Sequence, residues 1–347
     1  MILSESLKVD LLKVFETQDY LLAEKKAQSL VKKGFSDPWL CNILAVIFAK
    51  QEKFSLAAKY FKILTELFPN DHESFFNLGN LYRDAKNYQK SKEYYLSSLK
   101  INPLHYESNL ELAKIFFSEK SFDQSLNFAK QCNKINTNSI DAHELIGQIL
   151  FATGKFNESL KKYKFIFENC LINQKEKYIP NIASNLIEIG RVREAKTLLS
   201  QDGSDIGKYN LSLIYLKEGN YSQGWRNFDF GINNNSRKVR SISYFSDKLE
   251  LWHPDKKFNS VLVLGEQGIG DEIMYSSLIS DLIDTNIKVG IFMDRRLKGL
   301  LSRSLGNHEF IDNQEEAIQK GYSSYIPLAS LCKFFRNSKD DFEKNNF

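Results

Sequence analysis

Three carboxylates and three glycines fall within one short run of this chain, Gly265-Glu266-Gln267-Gly268-Ile269-Gly270-Asp271-Glu272. A carboxylate on a turn freed by glycine is suited to take a proton from a hydroxyl. The glycines fall G-x-x-G-x-G, so this is not the dinucleotide fingerprint G-x-G-x-x-G, and the Gly-Lys-Ser/Thr ending of a P-loop is missing. Acids at the start of a helix already occupy the favourable end of its dipole and repel a phosphate, so phosphate binding by this loop alone is not expected. Asp271 is the candidate base. The alternative is that it merely caps the following helix.

The elements that must position this loop alternate. Ser260 to Gly265 is a short apolar run ending in glycine, expected as a strand buried on both faces. A helix is expected from Glu272 to about Asp284, a strand over Lys288 to Met293 and a helix over Arg295 to Ser304. Short strands at His308 to Ile311 and Ser323 to Ile326 flank a helix near Gln314 to Lys320. Alternation of this kind means a parallel sheet of Rossmann type, with its ligand loop after a strand. Upstream, periodicity fades from Asn233 to Asn259, a connector that packs Trp252 against one of the domains. Its basic residues Arg237, Lys238 and Arg240 are expected as a solvated loop in preference to a phosphate site.

Before the connector, one period dominates. Small residues stand at Ala23, Ala57, Ser91, Ser125 and Ser159, each 34 residues after the last. Leu11, Ala45, Gly79, Ala113 and Gly147 hold the same step, as do the apolar Val14, Phe48, Tyr82, Phe116 and Leu150. Pro69 and Pro103 also stand 34 apart. Paired antiparallel helices need a small residue where their backbones approach, and such pairs bury their apolar faces by stacking into a solenoid. Past residue 171 the register slips, but Ala183, Leu186, Gly190 and Ala195 fit a sixth pair, and Tyr215, Gly219, Gly224 and Phe228 a seventh. Phe76, Asn80, Arg83, Lys114, Phe117, Gln148 and Phe151 project onto the inner helices, where aromatic anchors among hydrogen-bonding groups suit a protein or peptide partner. Equally, these phenylalanines serve packing between repeats.

Composition sets the outer bounds. At 347 residues the chain is comfortable for two domains. Its formal charge of +4 (47 basic against 43 acidic residues) is too mild for nucleic-acid binding. The longest apolar run is far short of a bilayer span, and the N-terminus has no signal-peptide pattern, so a cytoplasmic protein is expected. Four separated cysteines without CxxC and five dispersed histidines give no metal site and no cofactor.

The repeat pattern resembles the tetratricopeptide repeat, with Leu78-Gly79, Tyr82, Ser91, Tyr95 and Pro103 its clearest unit. With Glu266-Gln-Gly-Ile-Gly-Asp271-Glu-Ile-Met274 after it, the whole resembles bacterial fusions of such repeats to heptosyltransferase-like glycosyltransferases. Gly219 to Trp225, Asp294-Arg295-Arg296-Leu297 with Arg303-Ser304, and Ile326 to Leu331 fit as well. The resemblance implies a GT-B fold, with the aspartate of a Gly-Asp pair, here Gly270-Asp271, as base. Gln267, Gly268 and Gly270 would lie against the sugar. Arg295 and Arg296 either help hold an anionic group or stay solvated. The donor in such enzymes sits mostly on a second Rossmann domain, and about 88 residues from Ser260 onward make part or most of the first half. A nucleotide sugar is therefore expected as partner only if a C-terminal half exists, and this chain alone is expected to be inactive. The alternative is a non-catalytic repeat scaffold with a remnant Rossmann domain. The expected organisation is an α-solenoid over 1–235, a connector over 236–259 and a partial α/β domain over 260–347.

Overall fold

The small residues that recur every 34 positions meet one another inside helix pairs. The computed structural model describes residues 2–35, 37–305 and 308–343, so the outermost residues of the first and last expected domains lie outside it. In chain order the first five pairs are α1 (Glu5–Glu16) with α2 (Tyr20–Lys32), α3 (Pro38–Lys50) with α4 (Phe54–Leu67), α5 (His72–Asp84) with α6 (Tyr88–Ile101), α7 (Tyr106–Ser118) with α8 (Phe122–Ile135), and α9 (Ile140–Ala152) with α10 (Phe156–Asn169). Ser91, Ser125 and Ser159, all fully buried, donate their hydroxyls to the carbonyls of Gly79, Ala113 and Gly147 at 2.9, 2.7 and 2.8 Å. A buried serine is tolerated there because its one donor is satisfied by the facing helix.

Size is exchanged across the same crossings. Gly79 faces the fully buried ring of Tyr95, and Gly147 faces Tyr163. One repeat between them, alanine stands at both corresponding places, Ala113 and Ala129, and both are buried. A Cβ on Gly79 would come within 2.4 Å of the Tyr95 ring. Gly79→Ala is therefore expected to destabilise the first unit by about 1–3 kcal/mol through overpacking, measured as a shift in urea midpoint. The turn inside each pair is also periodic: Gln18, Glu52, Lys86, Lys120 and Gly154 all hold left-handed backbone, with φ of 61, 60, 58, 59 and 74°. Glycine does so without strain, while the other four residues carry a cost of about 1 kcal/mol each.

Two compact units result, Met1–Cys170 and Leu171–Phe347. The second opens with the sixth and seventh pairs, α11 (Ile179–Glu188) with α12 (Val192–Ser200) and α13 (Asp205–Lys217) with α14 (Tyr221–Phe228). Repeat identity would group these pairs with the first five, as in the expected 1–235 domain. Contact groups them with the sheet, because Trp225 and Phe228 of α14 enter its core, and Tyr209 and Leu216 of α13 pack against it. Short α15 (Phe230–Asn233) and α16 (Ile242–Ser246) follow, then β1 (Glu250–Leu251), β2 (Ser260–Leu264), α17 (Ile269–Tyr275), α18 (Leu278–Ile283), β3 (Lys288–Phe292), α19 (Lys298–Leu305), β4 (Glu309–Phe310), α20 (Gln314–Gln319), β5 (Ser324–Pro327), α21 (Cys332–Phe335) and α22 (Asp340–Glu343). The helix expected from Glu272 to Asp284 is two helices, and the first begins three residues earlier. The connector also holds more structure than its fading periodicity suggested, since α16 and β1 lie within it.

The five strands are parallel, in the order β1-β5-β2-β3-β4. Every residue of β2 is buried. Its alternation divides the core: Val261 and Val263 join Leu278, Ile279 and Trp252 on one face, while Leu262 and Leu264 join Phe245, Ala317 and Tyr325 on the other. Trp252 packs edge-on against Phe334, as the connector reading required. No helix among the described residues is long and apolar enough to cross a membrane.

Candidate functional site

β2 ends at Leu264, paired with Phe292 of β3 on one side and Pro327 of β5 on the other. The chain moves from β2 outward through β3 and β4, then returns to place β5 on the opposite side of β2. Open parallel sheets collect ligands beyond the carboxyl ends of strands where the order reverses in this way. The loop Gly265 to Glu272 leaves the sheet at that point.

Two of its three carboxylates are spent on holding it. Glu266 and Arg237 have side chains only 4% and 5% exposed, and Arg237 reaches Glu266 through Nη2 at 2.7 Å and Nε at 3.3 Å. The Ala329 N–H, just past β5, donates to the same carboxylate at 3.1 Å. Arg237 Nη1 also reaches Asp229 Oδ1 at 2.7 Å, and Asp229 accepts from Ser330 Oγ and Lys333 Nζ at 2.5 and 2.9 Å. Burial pushes the Asp229 carboxyl up, but Arg237 and Lys333 outweigh it and hold the group below its ordinary value. Glu272 is fully buried, accepts from Arg240 Nε at 2.5 Å and from the Asp294 N–H at 3.0 Å. Its carboxylate lies against Gly265, where a Cβ would come 2.1 Å from Oε1. That glycine is required by packing.

The basic patch is thus not a solvated loop. Arg237 and Arg240 are drawn onto the sheet edge because the two buried acids of the loop have no other cationic partner among the described residues. Lys238 stays nearer the surface and borders the cavity described next. Asp229, Ser330 and Lys333 belong to the same network, and no spacing in the sequence marks them as neighbours.

Asp271 stands apart from its two neighbours. It is exposed, in the first turn of α17, whose N-cap is Gly268 without a side-chain cap bond. Together with Gln267, Gly268, Tyr209, Tyr275 and Lys238 it lines a cavity of about 510 Å³ between the loop and α13. Burial raises both phenols, Tyr209 and Tyr275, above their ordinary value, so they remain protonated donors at neutral pH. A second cleft of about 600 Å³ is bordered by Arg240, Gln267, Asp294, Arg295 and Asp312, so Gln267 serves both. Arg296 is exposed and donates to Asp294 at 2.9 and 3.0 Å, while Arg295 donates to the Asp312 carbonyl. Gly270 is exposed, its φ is not left-handed, and a Cβ there would meet nothing within 4 Å. Gly270→Ala is accordingly expected to leave the fold intact and to stabilise α17 by about 0.5–1 kcal/mol, measured by thermal unfolding.

The residues expected to line a groove lie on α5, α7 and α9, the first helices of three successive pairs. Their rings are half-buried against neighbours: Phe76 on Tyr95 and His105, Phe117 on Phe122, and Phe151 on Phe156. Asn80 accepts from the Tyr95 hydroxyl at 2.7 Å. Arg83 reaches Glu111 on the next repeat at 2.7 Å, and Lys114 reaches the other oxygen of Glu111 at 2.8 Å. Gln148 approaches Glu144 at 3.4 Å.

A family model described as tetratricopeptide repeat matches residues 72–105, the pair α5 and α6. The chain carries a tetratricopeptide repeat at that pair. A tetratricopeptide repeat protein from Parabacteroides merdae superposes with a TM-score of 0.50 at 15% identity, covering 67% of this chain and 94% of that one. The C-terminal part of a tetratricopeptide repeat-containing protein from Cytophaga hutchinsonii gives a TM-score of 0.53 at 12% identity, covering 63% and 93%. At these identities the likeness is one of fold, a mostly helical repeat solenoid. None of the curated proteins compared with it matches the chain.

Proposed function

We propose that the chain couples a protein-binding repeat array to the acceptor-binding half of a glycosyltransferase, with Asp271 as the base on the acceptor hydroxyl. The observation that carries this reading is the division of labour in the loop. Glu266 and Glu272 are buried under arginines, while Asp271 alone of the three is exposed at a cavity beyond the carboxyl ends of the strands. The strand order around β2, with β3 and β4 on one side and β5 on the other, supports the Rossmann-type reading and with it the GT-B resemblance. Tyr209, Tyr275 and Gln267 offer hydrogen bonds to a polyhydroxylated acceptor, and Gly268 and Gly270 let it approach the backbone.

In the reaction, the acceptor hydroxyl passes its proton to Asp271 as its oxygen bonds to the anomeric carbon of a nucleotide sugar. The anomeric carbon–oxygen bond breaks, and the nucleoside diphosphate leaves with the electron pair. The second half of a GT-B enzyme would hold that donor. The tetratricopeptide match over residues 72–105 favours the second reading, a repeat scaffold whose α/β part has no catalysis.

A panel of nucleotide sugars, followed by release of nucleoside diphosphate and by mass spectrometry of the acceptor, decides between them. Turnover that depends on Asp271 supports the enzyme. No release with any donor, from the longest natural form of the protein, leaves the scaffold.

A further inference from the structure

The repeat period carries two histidines together that the linear sequence keeps 33 residues apart. His72 is the first residue of α5, and His105 is the N-cap of α7. Their ring centroids lie 4.6 Å apart. Glu73 Oε1 stands 3.3 Å from His105 Nε2 and 3.6 Å from His72 Nδ1. One donor atom from each of the three residues falls within 4.8 Å of the others. Nitrogen and oxygen ligands sharing one tetrahedral zinc ion at about 2.0–2.2 Å stand roughly 3.3–3.6 Å from one another. Glu107 Oε2 lies 3.2 Å from the same His105 nitrogen.

Hydrogen bonding tells what belongs there. His105 Nδ1 is 2.7 Å from Ser108 Oγ, and that hydroxyl donates its proton to Ser98 Oγ at 3.0 Å. Ser108 Oγ can therefore accept from Nδ1 in the tautomer that frees Nε2 for a metal. That tautomer gives up the Ser108 N–H, which donates to Nδ1 at 3.4 Å as the N-cap bond of α7. With the ring proton on Nδ1, Nε2 turns a lone pair to Glu73 and Glu107, an arrangement that needs a positive charge between them. His72 Nδ1 adds a second demand: it is buried and makes no hydrogen bond. A buried ring nitrogen without a partner calls for a water or an ion. A proton on His105 answers one of these demands and leaves His72 unanswered. A divalent ion answers both and neutralises Glu73.

We propose that His72, Glu73 and His105 form a binding site for a divalent transition-metal ion of the zinc type, bridging two successive repeats. Two imidazoles with one carboxylate suit zinc and its neighbours; calcium and magnesium prefer oxygen throughout. The fourth position falls to Glu107 or to water. The starts of α5 and α7 are electropositive, and Asp71, Glu73 and Glu107 in their caps and first turns offset that charge. His72 Nε2 lies 3.3 Å from Asn102 Nδ2, so metal at Nδ1 requires the Asn102 amide to turn its oxygen to the ring and to give up the Leu104 N–H that this oxygen accepts at 3.1 Å. An ion here ties α5 to α7 and stiffens the Met1–Cys170 unit.

The test is calorimetric titration of the full chain, free of any affinity tag, with zinc chloride, alongside cobalt(II) absorption as a report on coordination. Wild type is expected to take up one equivalent of zinc and to melt at higher temperature with it. Glu73→Gln removes an exposed carboxylate, and His105→Asn keeps an N-capping side chain, so both variants should fold. Each is expected to bind zinc at least about tenfold more weakly, while the exposed His253→Asn binds as wild type does. Absence of zinc uptake by the wild type overturns the proposal, as does equal affinity in Glu73→Gln and His105→Asn. Histidine titration shifted by Glu73→Gln without any zinc binding would identify an imidazolium–carboxylate pair and also overturn it.

Discussion

Replacing Arg237 with methionine is expected to cost the Leu171–Phe347 unit about 3–5 kcal/mol, comparable to the whole stability of a marginal domain. The guanidinium is buried and answers two acids at once, Glu266 and Asp229. Methionine matches its stem but leaves Glu266 as a buried carboxylate held only by the Ala329 N–H. Asp229 suffers less, because Lys333 and Ser330 remain. Adding Glu266→Gln to Arg237→Met should therefore recover much of the loss, since it removes the stranded charge and leaves a hydrogen-bonding group. Urea unfolding followed by tryptophan fluorescence measures this, because Trp225 and Trp252 both lie in the affected core. A loss below about 1 kcal/mol would show that the pair is no better than an exposed ion pair. The network also gives a pH dependence of definite sign. The Asp229 carboxyl is held below its ordinary value in the fold, so its contribution is complete above that value and falls away as the pH drops below about 4 through the folded pKa. In Arg237→Met this acid-side loss should shrink.

How far the sequence disclosed the molecule depends on whether a feature is periodic. The helix pairs were legible because Ser91, Ser125 and Ser159 each repeat one physical task, donating to a carbonyl twelve residues back. The strands were legible because β2 is apolar from Val261 to Leu264 and buried on both faces. The buried arginines were not legible. Arg237 and Arg240 look like any polar loop until the fold supplies Glu266 and Glu272, and nothing in a run of charges says which will be buried. The two-helix break at Ser276 and Ser277 was missed because the apolar spacing runs on across it. The histidine cluster was within reach: placing His72 and His105 on the 34-residue register sets them in adjacent repeats, where their linear dispersal no longer separates them. The grouping of α13 and α14 with the sheet needed contacts, since a repeat looks the same whatever it stacks against.

Asp271→Asn is expected to lower sugar transfer by about 10²–10⁴-fold in the longest natural form of the protein that turns over, with the fold unchanged. The fold should hold because the side chain is exposed, lies outside the arginine networks and does not cap α17. Asparagine keeps its shape and a hydrogen bond to the acceptor but cannot take the proton, so kcat should fall while KM for the acceptor moves little. A carboxylate that only favoured the helix dipole would behave otherwise: Asn would cost a few tenths of a kcal/mol in stability and leave kcat alone. Gly270→Ala gives the complementary result. Its methyl meets nothing within the chain, so any rise in acceptor KM reports a molecule that must approach that backbone. Undiminished kcat in Asp271→Asn would remove the base from this loop. Unchanged KM in Gly270→Ala would then remove the Gly270 backbone from the acceptor site.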